Sequence, residues 1–221
     1  AIRPAADYVP RTKGVALENT HNLAGGAIRP HDEIKNIHQL CQDRGLAMHL
    51  DGARLWNASV ASGQSLAELA QPFDSVAVAL SKGLGAPVGS VIAGTRGFID
   101  EARWVRKQFG GGMRQTGMLA AAGLFAIENN IERLVEDHAN ARRFAEIIAE
   151  SSHVDIDKSS VQTNIVIATI RSGPPAGEIC ERLQKAGVLI SMMDAKTLRC
   201  VTHLDVSEQQ VIEAAHLFLK H

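Results

Sequence analysis

Aromatic residues, cysteines and net charge are all scarce in this sequence, and each scarcity removes a class of function. Two Trp, one Tyr and six Phe among 221 residues supply no platform for stacking bases. Lys and Arg number 23 against 24 Asp and Glu, a formal net charge of −1, so nothing invites nucleic acid or an anionic membrane surface. The three cysteines, Cys41, Cys180 and Cys200, are odd in number, widely spaced and form no CxxC pair. That usage excludes a disulfide framework and a zinc knuckle, suits a reducing, cytoplasmic compartment, and makes the thiols small core hydrophobes. No apolar run approaches the ~18 residues of a membrane span. The start, AIRPAADYVPRTK, lacks both an initiator Met and a signal-peptide core, and the expectation is a processed product or a fragment.

What remains is ordinary globular composition, 45% hydrophobic and 21% charged, in a chain long enough for one large or two modest domains. Of the 19 glycines, 15 lie within residues 1–120, so the first half is expected to carry the loops of a site. GVALEN, 14–19, reads as a buried strand. Residues 30–44 have a helical rhythm ended by Gly45, and LAMHLD, 46–51, is a second strand. A loop with a short helix follows, then the helix SLAELAQP with a capping-box pattern at Ser65 and Glu68. DSVAVALS, 74–81, and VGSVIAG, 88–94, are strands joined by a link too short for a parallel crossover, so this pair is expected to be antiparallel. The other early strands alternate with helices, which is doubly wound α/β logic.

Residues 97–108 read as an amphipathic helix, and 116–150 as one long helix or two bridging into a second unit. Beyond it the pattern predicts strands at 154–158 and 164–170, a helix at 176–186, strands at 188–192 and 197–204, and a last helix capped by Asp205 or Ser207. That second unit is a small α+β domain.

Open α/β sheets bring ligands to the carboxyl ends of their strands. Asp51 closes the strand AMHL, and Lys82 follows VAVALS at the start of a GLGAP loop. A lysine with little route to solvent has a lowered pKa, and a neutral amine attacks carbonyls. Pyridoxal phosphate requires such a lysine, together with a carboxylate that keeps its pyridine nitrogen protonated. By spacing alone the two residues could equally form a buried salt bridge, or Lys82 could be a loop lysine without a role. Arg54 lies three residues past Asp51. Arg199 alternates with Leu198 and Cys200, which suits either a surface arginine or one reaching a substrate carboxylate across a domain cleft. His21, His49 and His203 are scattered, and no HxxxH or Cys/His cluster suggests a metal. The runs GLG and GGG match neither the dinucleotide fingerprint nor the phosphate loop.

LENTHN (17–22), HLDGARLWNA (49–58), SKGLGAPVGS (81–90), GGGMRQTGMLAAAG (110–123) and RCVTHLDVS (199–207) together resemble the low-specificity L-threonine aldolases. These are fold-type-I, aspartate-aminotransferase-like pyridoxal phosphate enzymes, and the similarity runs from about Thr12 to the C-terminus. The resemblance implies a PLP-dependent transferase-like fold, with 1–130 forming the C-terminal part of the large cofactor-binding domain and 131–221 the small C-terminal domain. It matches Lys82 to the lysine that forms the Schiff base and Asp51 to the carboxylate facing the pyridine nitrogen. Arg54 and Arg199 correspond to arginines around the cofactor and the substrate carboxylate. His21 corresponds to a histidine beside the β-hydroxyl, and Arg114 is a family match without a stated role. The implied reaction is retro-aldol cleavage of a small amino-acid substrate to glycine and an aldehyde, in a homodimer or tetramer whose GGGMRQ loop reaches the neighbouring subunit.

Family members also carry an N-terminal third that this sequence lacks, including the phosphate-binding loop, a histidine that stacks on the cofactor and a serine near the carboxylate. Its absence implies an exposed apolar sheet edge and a separate N-terminal fragment as partner. Alternatives that share the fold are a β-eliminating lyase, an aminotransferase, or a non-catalytic fragment of such an enzyme.

Overall fold

The computed structural model describes residues 2–3 and 7–220. Four strands, β1 (Gly14–Glu18), β2 (Ala47–Asp51), β3 (Ser75–Ala79) and β4 (Ser90–Gly94), form one sheet in the order β1-β2-β3-β4. The first three are parallel because helices carry the chain back between them: α1 (His31–Asp43), then α2 (Leu55–Ser62) and α3 (Leu66–Ala70). β4 returns antiparallel to β3, as the short connection predicted. A second sheet, β5 (Val154–Asp155), β6 (Ile165–Ile170), β7 (Ser191–Met192) and β8 (Thr197–Val201), is antiparallel in the order β5-β6-β8-β7. The remaining helices are α4 (Arg96–Gln108), α5 (Gly117–Asn129), α6 (Leu134–Ile148), α7 (Ala176–Lys185) and α8 (Glu208–Phe218).

Each sheet has its own apolar layer. Leu50, Leu55, Ala58, Leu69 and Val76 pack beneath the first sheet, and Leu80, Leu84, Ala126 and Leu134 gather under the segment after β3. Beneath the second, α6 and α8 bury Phe144, Ile148, Val211 and Phe218 against Val166 and Leu198. Phe144 and Phe218 meet edge to face with ring centroids 6.2 Å apart, an arrangement worth about 0.5–1.5 kcal/mol beyond area burial. Full burial of each Leu or Ile adds roughly 1.5–3 kcal/mol. Cys41 and Cys200 are both buried, Cys200 in the layer beneath the second sheet, where burial pushes its thiol up to about 12. Among the described residues, no helix is long and apolar enough to cross a membrane.

Several expected boundaries shift, each for a local reason. Residues 116–150 form two helices, and the break carries Asn130, whose side-chain Nδ2 donates to the Leu84 carbonyl at 2.7 Å instead of continuing as helix surface. The strand expected at 154–158 stops at Asp155, because the Asp157 carboxylate accepts the Ser159 N–H and starts a 3-10 turn. The strand expected to reach Leu204 ends at Val201. There the Thr202 hydroxyl donates to the Asp137 carbonyl at 2.6 Å, and the Asp205 N–H donates to His203 Nδ1. Only Ser191 and Met192 of 188–192 pair as strand. Ser207, not Asp205, caps α8, in a capping box with Gln210, and the Ser65–Glu68 capping box forms as expected.

Candidate active site

The site gathers at the carboxyl ends of β1, β2 and β3, facing the end of β8. Strand register puts Glu18 beside Asp51 and Asp51 beside Ala77. The backbone continues this alignment, since Asn19 N–H donates to the Asp51 carbonyl at 3.0 Å and Gly52 N–H to the Ala77 carbonyl at 2.7 Å. Asp51 Oδ1 accepts the Ala53 N–H at 3.1 Å, which fixes the carboxylate at the turn that leads to Arg54.

Lys82 sits on a tight turn after β3. Gly85 N–H donates to the Lys82 carbonyl, Ala86 N–H to the Leu80 carbonyl, and Trp56 Nε1–H to the Ala79 carbonyl. Gly85 has φ +72°, which favours glycine, and a Cβ there would displace Leu204 Cδ2. The expectation that Lys82 lacks a route to solvent is not met, because its side chain is exposed to an open cavity of about 440 Å³. The walls still act on it. Desolvation first, and the Arg54 charge second, lower its pKa below the ordinary lysine value, against the opposing pull of Asp51 and Glu18.

Arg54, Lys82 and Arg199 line that cavity together, with Asn164 and His203 from the second sheet's side. Arg54 is buried; burial, and then the Arg199 charge, lower its pKa, while Glu18 and Asp51 raise it. Arg199 does not behave as a surface arginine. Its Nη2 donates at 2.7 Å to Asn22 Oδ1, an oxygen that also accepts from Arg54 Nη1 at 3.2 Å. Arg199 Nε and Asn164 Oδ1 are buried behind the cavity wall without a partner.

His21 stands beside this group. Its Nδ1 accepts the Ala24 N–H at 3.1 Å, which places the neutral ring's proton on Nε2, 3.7 Å from Glu18 Oε2. The other carboxylate oxygen of Glu18 accepts the Asn22 N–H at 3.0 Å. The loop holding His21 and Asn22 is anchored to the second sheet, where Thr163 Oγ1 donates to the Gly26 carbonyl and Ile28 N–H donates to Gln162 Oε1, both at 2.7 Å.

Asp51 and His21 border the cavity without lining it, and Arg114 lies exposed in the loop between α4 and α5, outside the cluster. Sequence reasoning passed over Glu18 and Asn22, although both stand in LENTHN beside His21. It also treated His203 as scattered, because nothing local announces that β8 ends against Lys82. Among the described residues no group of three or more His, Cys, Asp or Glu could hold a metal ion.

The donor set fits pyridoxal phosphate: an amine of lowered pKa at a strand end, a carboxylate on the adjacent strand, and two arginines with an unpartnered Nε.

The architecture is that of the fold-type-I pyridoxal phosphate enzymes. A solved threonine aldolase from Leishmania major superposes with a TM-score of 0.73 at 19% identity, covering 98% of this chain and 63% of that one. The chain belongs to the beta-eliminating lyase family, whose model matches residues 1–171. It is 44% identical over 216 residues to the low specificity L-threonine aldolase of Escherichia coli K12, covering 97% of this chain and 62% of that protein. It is 43% identical over 215 residues to a probable low-specificity L-threonine aldolase 2 of Arabidopsis thaliana, covering 96% and 61%. The chain thus spans about three fifths of the length of the curated relatives it matches.

Proposed function

We propose that the protein cleaves β-hydroxy-α-amino acids, L-threonine and L-allo-threonine among them, to glycine and an aldehyde, with pyridoxal 5'-phosphate as cofactor. The observation that carries this reading is the convergence of Lys82, Arg54 and Arg199 on one cavity, with Asp51 at the neighbouring strand end. When bound, the cofactor supplies an electron sink for the negative charge left on Cα as the Cα–Cβ bond breaks.

Lys82 Nζ is the amine that would anchor the cofactor, and its lowered pKa favours the neutral form that attachment needs. Asp51 would hold the proton on the cofactor's ring nitrogen. Arg54 and Arg199 grip the substrate carboxylate, orienting the bond to be broken. His21 receives the β-hydroxyl proton, directly or through a water. Its one lone pair, on Nδ1, exchanges the Ala24 hydrogen bond for that proton, and Glu18 beside Nε2 balances the resulting charge.

The same reading divides the chain into 1–130, part of a large cofactor domain, and 131–221, a small domain, with the break near Asn130 as the supporting feature. A homodimer or tetramer accords with the exposure of Trp104, Phe109, Met113 and Met118 around the GGGMRQ loop, where Arg114 would face a neighbour. A separate N-terminal fragment of the same enzyme would cover β4, all five residues of which are exposed. Three free cysteines accord with a cytoplasmic setting.

The test is product analysis of the purified protein with pyridoxal phosphate. Glycine and acetaldehyde from L-threonine support the proposal. Pyruvate from L-serine or L-cysteine without threonine cleavage favours β-elimination, the reaction for which the family is named. No turnover of any of these leaves a non-catalytic chain.

A further inference from the structure

Asn22 joins two cations. Arg54 follows β2 in the first sheet and Arg199 lies on β8 in the second, yet both guanidiniums donate to the one oxygen, Asn22 Oδ1, at 3.2 and 2.7 Å. Two like charges drawn together repel, and the arrangement persists only where something fixes both. Asn22 is itself fixed. It opens the 3-10 turn Asn22–Ala24, its backbone N–H is held by Glu18 Oε1 at 3.0 Å, and the turn is capped by His21. Strand β1 therefore carries a rigid acceptor to the point where the two arginines meet.

The acceptor's chemistry matters as much as its place. An amide oxygen takes hydrogen bonds without neutralising charge, whereas a carboxylate there would satisfy both guanidiniums and occupy the position of an anionic ligand. Each guanidinium spends one Nη–H on Asn22, so the pair keeps further N–H donors for a ligand. Glu18 and Asp51 act electrostatically on Arg54 and Lys82 as well, so the positive pair sits in a mixed field in which position, not gross charge, decides what binds.

We propose that Asn22 is a positioning residue that sets Arg54 and Arg199 as one preorganised receptor for the carboxylate of the amino-acid substrate. This rests on the aldolase reading for the identity of the ligand, but the receptor itself can be probed without turnover. A planar carboxylate offers two oxygens to donors arranged side by side, and the shared oxygen of Asn22 brings the two guanidiniums to that spacing.

The experiment compares the parent protein with Asn22→Ala, which removes the acceptor, and Asn22→Asp, which keeps its shape and adds a charge. Acetate and inorganic phosphate are titrated into the cofactor-free protein and followed calorimetrically, and threonine kinetics are measured on the loaded protein. Loss of a hydrogen bond to a charged partner predicts that Asn22→Ala weakens acetate binding and raises KM about tenfold, with kcat little changed. Asn22→Asp should weaken acetate binding further, because its carboxylate competes with the ligand. Acetate affinity within about twofold of the parent in both variants overturns the inference. Phosphate binding more tightly than acetate overturns the carboxylate assignment. A parent that binds acetate in an Asn22-dependent way but cleaves no hydroxyamino acid upholds the receptor and defeats the aldolase reading instead.

Discussion

Asn57 and His138 meet behind the Lys82 turn: the Asn57 Nδ2 donates to His138 Nε2 across 3.1 Å, with both side chains buried. A nitrogen that accepts a hydrogen bond carries no proton, so the imidazole is neutral, and burial pushes its pKa down from 6.5 to about 4. The unfolded chain therefore binds more protons than the folded one in that interval, and stability falls as pH drops through it. The loss is at most about 3 kcal/mol. Urea unfolding at about pH 7 and pH 5 reads the part lost over that range, about 2 kcal/mol, and His138→Gln, an acceptor that does not titrate, should flatten the difference. An unchanged slope in that variant would assign the pH dependence elsewhere.

Lys82→Ala should remove the visible absorption of bound cofactor and nearly all threonine cleavage. The fold should remain, because Lys82 contributes an exposed side chain and the turn is held by backbone bonds and by Asn130. Spectra, turnover and circular dichroism on one preparation check all three expectations. Retention of both the band and full activity would defeat the cofactor reading.

Asp51→Asn preserves the shape of a side chain whose carboxylate accepts the Ala53 N–H. It removes the charge proposed to hold the proton on the cofactor ring, so turnover should fall by on the order of 100-fold. Cofactor content measured alongside separates weaker electronics from weaker binding, and unchanged turnover would count against the assigned role.

Two glycines with nearly the same backbone angle separate strain from collision. Gly63 has φ +71° with open space around its missing Cβ, whereas Gly85 has φ +72° and Leu204 in the way. Gly63→Ala should cost about 1 kcal/mol through backbone strain alone. Gly85→Ala should cost clearly more and shift the Lys82 turn, seen as a lower urea midpoint together with altered cofactor absorption. Equal costs would mean that Leu204 yields freely.

The first sheet was legible because its signals are local. The link between β3 and β4 is too short for a crossover, and Asp51 and Lys82 stand where apolar runs stop. Pairing across long sequence separations was not legible. That Arg199 reaches Asn22 depends on β8 lying beside β6 and on Thr163 holding the Gly26 loop, neither of which leaves a periodic trace. Glu18 and Asn22 were overlooked for the opposite reason. They sit beside a conspicuous histidine, and their roles lie in what they hold, not in an exposed reactive group. The short strands β5 and β7 failed the periodicity reading because side-chain capture at Asp157 and the narrow pairing of Ser191 and Met192 override propensity.

The Asn22 loop is tied at both ends, to Glu18 in the first sheet and to Thr163 and Gln162 beside the second. Breathing of one sheet away from the other therefore pulls on the loop as well as on the 2.7 Å bond from Arg199. The two arginines would lose their common reference together, and a carboxylate held between them would be let go in one step.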